Sequence, residues 1–130
     1  MAGLVLDAGV VIGLYNDQDA HHRWSIDFMF QTTADKLHIS AINYAEIIVS
    51  PMKLGMEQKF LQAIQGLGLS IGSVDSQDVM ELSKIRNETG LRMTDVCAIQ
   101  LALKKECPLA TTDKAVAKAA KGLGVEVFQP

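Results

Sequence analysis

Five short apolar runs alternate along the chain with longer segments whose apolar residues recur at helical spacing. Such alternation predicts a mostly parallel sheet, because parallel neighbours need a crossover that a helix supplies. The predicted strands are residues 4–6, 37–40, 69–74, 109–111 and 125–128. The predicted helices are residues 20–32, 41–53, 57–66, 76–88, 94–105 and 114–121. We therefore expect a three-layer α/β/α fold, in which a mostly parallel sheet of about five strands lies between helices.

The length of 130 residues allows one compact domain, which we expect to span residues 1–130. With 48% hydrophobic residues the chain can bury a core and is not a disordered tail. No apolar run reaches the roughly 18 residues of a membrane span. The chain enters its first apolar run at Leu4 without the basic region and long apolar stretch of a secretion signal. We expect a cytoplasmic protein that does not bind membranes.

The formal net charge of −3 argues against a protein that holds nucleic acid through a broad basic surface. The two cysteines, Cys97 and Cys107, have no His or second Cys beside them at the spacing of metal ligands. Neither a zinc site nor a disulfide framework is therefore indicated.

Four carboxylates stand at positions where a charge is unexpected. Asp7 directly follows a predicted strand and Asp113 comes two residues after another, and ligands of parallel sheets bind outside the carboxyl ends of strands. Asp95 opens a helix so apolar that it must be largely buried, and Glu46 lies within an apolar stretch.

Each of the four carboxylates also has a purely structural explanation. Asp7 could cap a turn, Asp95 and Asp113 could begin helices, and Glu46 could lie at the margin of an amphipathic helix.

Taken together, the four carboxylates can meet at one edge of the sheet, and like charges at one place favour a bound cation. Hard divalent ions such as Mg²⁺ or Mn²⁺ prefer oxygen ligands, which this set supplies without His or Cys. Metal ions held by an acidic protein can attract phosphate groups and activate water. The predicted reaction is the hydrolysis of phosphodiester bonds.

Four segments resemble the PIN-domain ribonucleases, and among them the VapC-type toxins of toxin–antitoxin pairs. The resemblance spans essentially the whole chain. It rests on the order and spacing of four acidic segments: residues 4–8, 40–47, 93–102 and 108–113, followed by residues 122–127.

The resemblance implies that Asp7, Glu46, Asp95 and Asp113 form an acidic quartet that holds Mg²⁺ or Mn²⁺, with Thr111 orienting the cluster through its hydroxyl. It further implies endoribonuclease activity on RNA, with products that carry a 5′-phosphate and a 3′-hydroxyl. A cognate antitoxin and a homodimer are also implied.

Arg92 is the best candidate for a contact with an RNA phosphate, because it precedes Asp95 closely and a guanidinium forms paired hydrogen bonds with phosphate. One residue departs from the family pattern. Gly9 stands where the family usually carries Ser, Thr or Asn, so a hydroxyl near the metal ligands is expected to be missing.

Two alternatives remain open at the level of sequence. Asp7 after a first strand is shared with other α/β phosphoryl hydrolases, although Ala8 and Gly9 do not supply the second catalytic Asp of such phosphatases. The other alternative is a PIN-like module that binds RNA or protein without cleavage. A protein that binds neither Mg²⁺ nor Mn²⁺ would favour the noncatalytic module, and release of free phosphate from small substrates would favour the phosphatase.

Overall fold

The computed structural model describes residues 2–130, which form five strands and seven α-helices. The strands are β1 (Gly3–Leu6), β2 (Lys36–Ser40), β3 (Ser70–Gly72), β4 (Leu109–Ala110) and β5 (Val127–Phe128). The helices are α1 (Ala8–Tyr15), α2 (His22–Gln31), α3 (Ala41–Lys53), α4 (Glu57–Gln65), α5 (Val79–Thr89), α6 (Met93–Lys105) and α7 (Lys114–Gly122). A single 3₁₀ turn, Ser76–Asp78, leads into α5.

The strands form one fully parallel sheet in the order β3-β2-β1-β4-β5. From β1, the strands β2 and β3 are added on one side of the sheet, whereas β4 and β5 are added on the other side. The direction therefore reverses between β1 and β4. A crevice opens at such a reversal, outside the carboxyl ends of the two central strands.

Apolar side chains cover both faces of the central strands. Leu4 and Leu6 of β1 pack into a core formed with α1, α3 and α4, against which α2 also packs. Val5, between them, points to the opposite face and packs with α6 and α7. Helix α5 packs on the outer side of α6 through Leu82 and Ile85. The three-layer α/β/α fold predicted from the alternation of strands and helices is thus confirmed.

Helix α1 is the main element that the sequence pattern did not predict. Its residues include two glycines and a β-branched run, Val10 to Ile12, all of which are poor helix formers. Packing stabilises it instead. A Cβ atom on Gly13 would lie 2.6 Å from Oγ of Ser25 in α2, so the glycine lets the two helices approach closely.

The starts of α5 and β5 also differ from the predicted ones. The 3₁₀ turn that leads into α5 is capped by Asp75, whose side chain accepts the main-chain N–H of Asp78, while the main-chain N–H of Asp75 donates to the Asp78 carboxylate at 2.8 Å. At the sheet edge, β5 begins at Val127 and is shorter than the predicted run. No helix within residues 2–130 has the length and apolar character needed to cross a membrane.

Candidate functional site

Asp7 and Asp113 lie at the carboxyl ends of the two strands between which the sheet order reverses. Asp7 is the residue after β1, and Asp113 follows β4 by three residues. Leu6 of β1 pairs with Ala110 of β4 in the parallel sheet, so the carboxyl ends of these two strands lie side by side. The crevice predicted for a parallel sheet is therefore flanked by two carboxylates.

A chain of hydrogen bonds fixes the position of Asp7. The hydroxyl of Thr111 donates to Asp7 Oδ2 at 2.7 Å, and the main-chain N–H of Ala8 donates to Oδ1 at 2.9 Å. Thr111 is fully buried, and its hydroxyl oxygen also accepts the main-chain N–H of Asp113 at 3.1 Å. One threonine side chain thus ties the end of β1 to the loop that carries Asp113.

Asp7 is poorly solvated and surrounded by negative charge. Burial raises its pKa from 3.8 to about 6, against the hydrogen bonds from Thr111 and Ala8, which lower the pKa. The charges of Asp95 and Glu46 raise the pKa further. These three carboxylates, which come from separate parts of the sequence, therefore lie close enough to interact electrostatically.

Two helices bring the other carboxylates to the same edge. Helix α3 starts where β2 ends and carries the half-buried Glu46 in its second turn. Helix α6 runs back toward the start of β4, so its first turn, with the buried Asp95, also lies at the carboxyl edge. The buried Asn43 side chain donates to the main-chain oxygen of Thr94 at 2.9 Å, which joins these two helix starts.

Asp113 has a second role. Its Oδ1 accepts the main-chain N–H groups of Ala115 and Val116 at 2.8 and 3.1 Å, which caps α7. Asp7 likewise caps α1 through Ala8. The structural explanation considered for each of these residues therefore holds, and it is compatible with a role in the acidic cluster because a carboxylate has further lone pairs.

Arg92 brings a positive charge to three of the four carboxylates. Its Nε and Nη2 atoms each lie 3.3 Å from an oxygen of Asp95. The hydrogen bond with Asp95 raises the pKa of Arg92, and the charges of Asp95, Glu46 and Asp113 act in the same direction. Arg92 therefore lies within the field of the acidic cluster.

The chemistry of the site suits a hard divalent cation, since the cluster offers carboxylate oxygens without imidazole or thiol groups. The buried, electrostatically strained Asp7 is the kind of group that such an ion would stabilise. Within residues 2–130, no three carboxylate, imidazole or thiol side chains are arranged as the ligands of one ion. Asp95 is instead held by Arg92.

Gly9 has a steric explanation in this structure. A Cβ atom at this position would lie 2.5 Å from Oγ1 of Thr112, which is closer than nonbonded atoms approach. Thr112 therefore occupies the space that a side chain at position 9 would need. Neither Thr112 nor Asn43 was predicted to matter at the site; for Asn43, the signal was a polar residue within the apolar stretch that carries Glu46.

A groove of about 500 Å³ opens beside Glu46, between α1, α3 and α4. Its lining is largely apolar and includes Ile12, Tyr15, Pro51 and Phe60. The acidic edge of the sheet is thus continuous with an apolar surface through Glu46.

Several solved structures share this fold. A structure described as FitAB bound to an IR36 DNA fragment is similar over 98% of this chain and 94% of that chain, with 20% identity and a TM-score of 0.76. A toxin–antitoxin complex from Klebsiella pneumoniae is 22% identical over 96% of this chain and 95% of that chain, with a TM-score of 0.75. VapC20 of Mycobacterium tuberculosis, a toxin that cleaves the sarcin–ricin loop, is 12% identical over 89% of this chain and 94% of that chain, with a TM-score of 0.75.

The fold and site define a parallel α/β protein with carboxylates gathered where its strand order reverses. The model of the PIN domain family matches residues 4–122. The chain therefore belongs to the PIN domain family. No curated protein matches the sequence.

Proposed function

We propose that this protein is an endoribonuclease that uses Mg²⁺ or Mn²⁺ and acts as the toxin of a type II toxin–antitoxin pair. The observation that carries the proposal is that Asp7, Glu46 and Asp95 lie close enough to interact electrostatically. Asp113 is linked to them by its hydrogen bond with Thr111 and by its interaction with Arg92. Membership of the PIN domain family and the likeness to VapC20 support it.

In this proposal Asp7, Glu46, Asp95 and Asp113 hold the divalent cation. When bound, the cation would lower the pKa of a water molecule and stabilise negative charge on the phosphate. Thr111 keeps the Asp7 carboxylate in one orientation through its 2.7 Å hydrogen bond. Arg92 contacts an RNA phosphate with its exposed guanidinium.

RNA cleavage by the purified protein tests the proposal. We expect cleavage of single-stranded RNA in Mg²⁺ or Mn²⁺, none in EDTA, and products with a 5′-phosphate and a 3′-hydroxyl. Asp113→Asn is the sharpest variant, because Asn caps a helix as well as Asp does but binds a metal ion more weakly. Its activity should fall by at least about a hundredfold, since even outer-shell partners of a metal contribute 10–100-fold.

Asp27→Asn is the matched control, because Asp27 pairs with Arg23 on the surface of α2. This variant should cleave RNA like the unmodified protein. Full activity in EDTA, or in Asp113→Asn, would contradict the metal mechanism. RNA binding without cleavage under all conditions would favour the noncatalytic module, and phosphate release from small substrates would favour a phosphatase.

We also propose an antitoxin partner and a homodimer. The likeness to the toxin–antitoxin complex from Klebsiella pneumoniae supports the partner. The apolar groove beside Glu46 could accept apolar side chains of an antitoxin segment that then covers the acidic edge.

A further inference from the structure

Arg92 forms an ion pair with Asp95 in which the carboxylate is buried and the arginine side chain is exposed. Both oxygens of Asp95 are engaged, by Nε and Nη2 of Arg92 at 3.3 Å each. The Asp95 side chain is 12% exposed, whereas that of Arg92 is 74% exposed. Arg92 can therefore leave Asp95 by rotating its own side chain into solvent, without any movement of the core.

A divalent cation bound by the four carboxylates would lie close to the positive charge of Arg92. Arg92 interacts with Glu46 and Asp113 as well as with Asp95, which are three of the four carboxylates of the cluster. A cation held by these groups would repel the guanidinium and compete with it for the oxygens of Asp95.

We propose that Arg92 is an internal counter-ion that holds Asp95 in the metal-free protein and leaves it when a divalent cation binds, which frees the guanidinium for an RNA phosphate. The inference rests on the proposed function. It adds an order of events: the cation takes Asp95, and Arg92 then becomes available to the substrate. Phosphate suits the released side chain because it accepts the same paired hydrogen bonds that the carboxylate accepted.

A purely structural ion pair makes the opposite prediction about metal affinity. If Arg92 only positioned Asp95, its replacement would loosen a ligand and weaken metal binding. If Arg92 competes with the metal, its replacement removes the competitor and strengthens binding. The sign of the change therefore separates the two roles.

Mn²⁺ titration of the metal-free protein by calorimetry measures that sign. We expect Arg92→Gln to bind Mn²⁺ about threefold or more tightly at low salt, with the difference shrinking as salt screens the charges. Arg92→Lys keeps the charge but not the paired contact, so its affinity should lie between the other two. Arg86→Gln, which removes an exposed arginine of α5, is the matched control and should bind like the unmodified protein.

The arginine side-chain N–H signals in NMR spectra provide a readout independent of affinity. Addition of Mg²⁺ should shift the Nε–H signal of Arg92 but not that of Arg86. Unchanged or weaker Mn²⁺ binding by Arg92→Gln, or an unmoved Arg92 signal, overturns the exchange while leaving a metal-dependent nuclease intact. Failure of every form of the protein to bind Mn²⁺ overturns both the exchange and the proposed function.

Discussion

At the scale of single residues, Asp7 is the carboxylate whose ionised form is destabilised by its surroundings. This carboxylate is buried at the end of a central strand and feels the charges of Asp95 and Glu46. The hydrogen bonds from Thr111 and Ala8 hold it in place but do not offset the cost of its burial, as its raised pKa shows. A residue chosen for stability alone would not carry a charge here.

Asp7→Asn should stabilise the metal-free protein near neutral pH. The pKa of Asp7 is 3.8 ordinarily and about 6 in the folded protein, so the folded state binds the proton more tightly. The contribution of Asp7 to the free energy of unfolding is therefore greatest below about pH 4, falls as the pH rises to about 6, and is lower by about 3 kcal/mol above that range. Asparagine removes this titration and should stabilise the protein by about 1–3 kcal/mol at neutral pH.

Urea unfolding in EDTA at several pH values measures this effect. Asp35→Asn, which replaces an exposed aspartate, is the control and should not be stabilised as Asp7→Asn is. An Asp7→Asn protein that is less stable than the unmodified protein at neutral pH would show that Asp7 is not under strain.

At the scale of elements, local patterns explain most boundaries. Helix α3 occupies the residues predicted for it, 41–53, and α4, α6 and α7 differ from prediction by one residue at an end. Helix α1 was missed because its local composition disfavours a helix, for which packing in the core and against α2 compensates. A glycine follows α5 and another ends α7, yet only the first has a left-handed backbone, with φ of 71° at Gly90.

The two glycines provide a matched pair of substitutions. Gly90→Ala forces a Cβ into the left-handed region at the end of α5 and should destabilise the protein by about 1 kcal/mol. Gly122→Ala places its Cβ in open space on helical backbone and should not destabilise the protein. Thermal or urea unfolding of both variants tests the assignment, and equal effects from the two would contradict it.

At the scale of the whole molecule, the site exists because elements from both faces of the sheet meet at one edge. Glu46 comes from α3, whose Ile47 packs in the core on the Leu4 face. Asp95 comes from α6, whose Ala98 and Ile99 pack on the Val5 face. The hydrogen bond from Asn43 to the main chain of Thr94 joins the two helices next to their carboxylates.

Asn43→Ala should therefore lower both stability and metal affinity. Loss of this buried bond costs about 1–3 kcal/mol, and the separation of Glu46 from Asp95 would be less well fixed. Asn87→Ala, at an exposed position of α5, is the control and should be neutral or slightly stabilising. A loss of stability without any change in Mn²⁺ affinity would mean that Asn43 supports the fold but not the site.

The sequence by itself determined the class of fold and singled out four carboxylates as candidates for one site. Strand and helix periodicity are local, and a carboxylate after a strand lies at the edge of a parallel sheet wherever the neighbours are. Asp7 and Asp113 were singled out by their place after strands, and Glu46 and Asp95 by their apolar surroundings, whereas Thr111 was predicted from the family resemblance alone.

Only the tertiary structure decided how those residues are paired. Arg92 binds Asp95, Thr111 joins Asp7 to Asp113, and Thr112 fills the space above Gly9. Asp7 and Thr111 are 104 residues apart in the sequence, and Gly9 and Thr112 are similarly distant. Such contacts depend on side-chain direction and packing distance, which spacing along the chain does not contain.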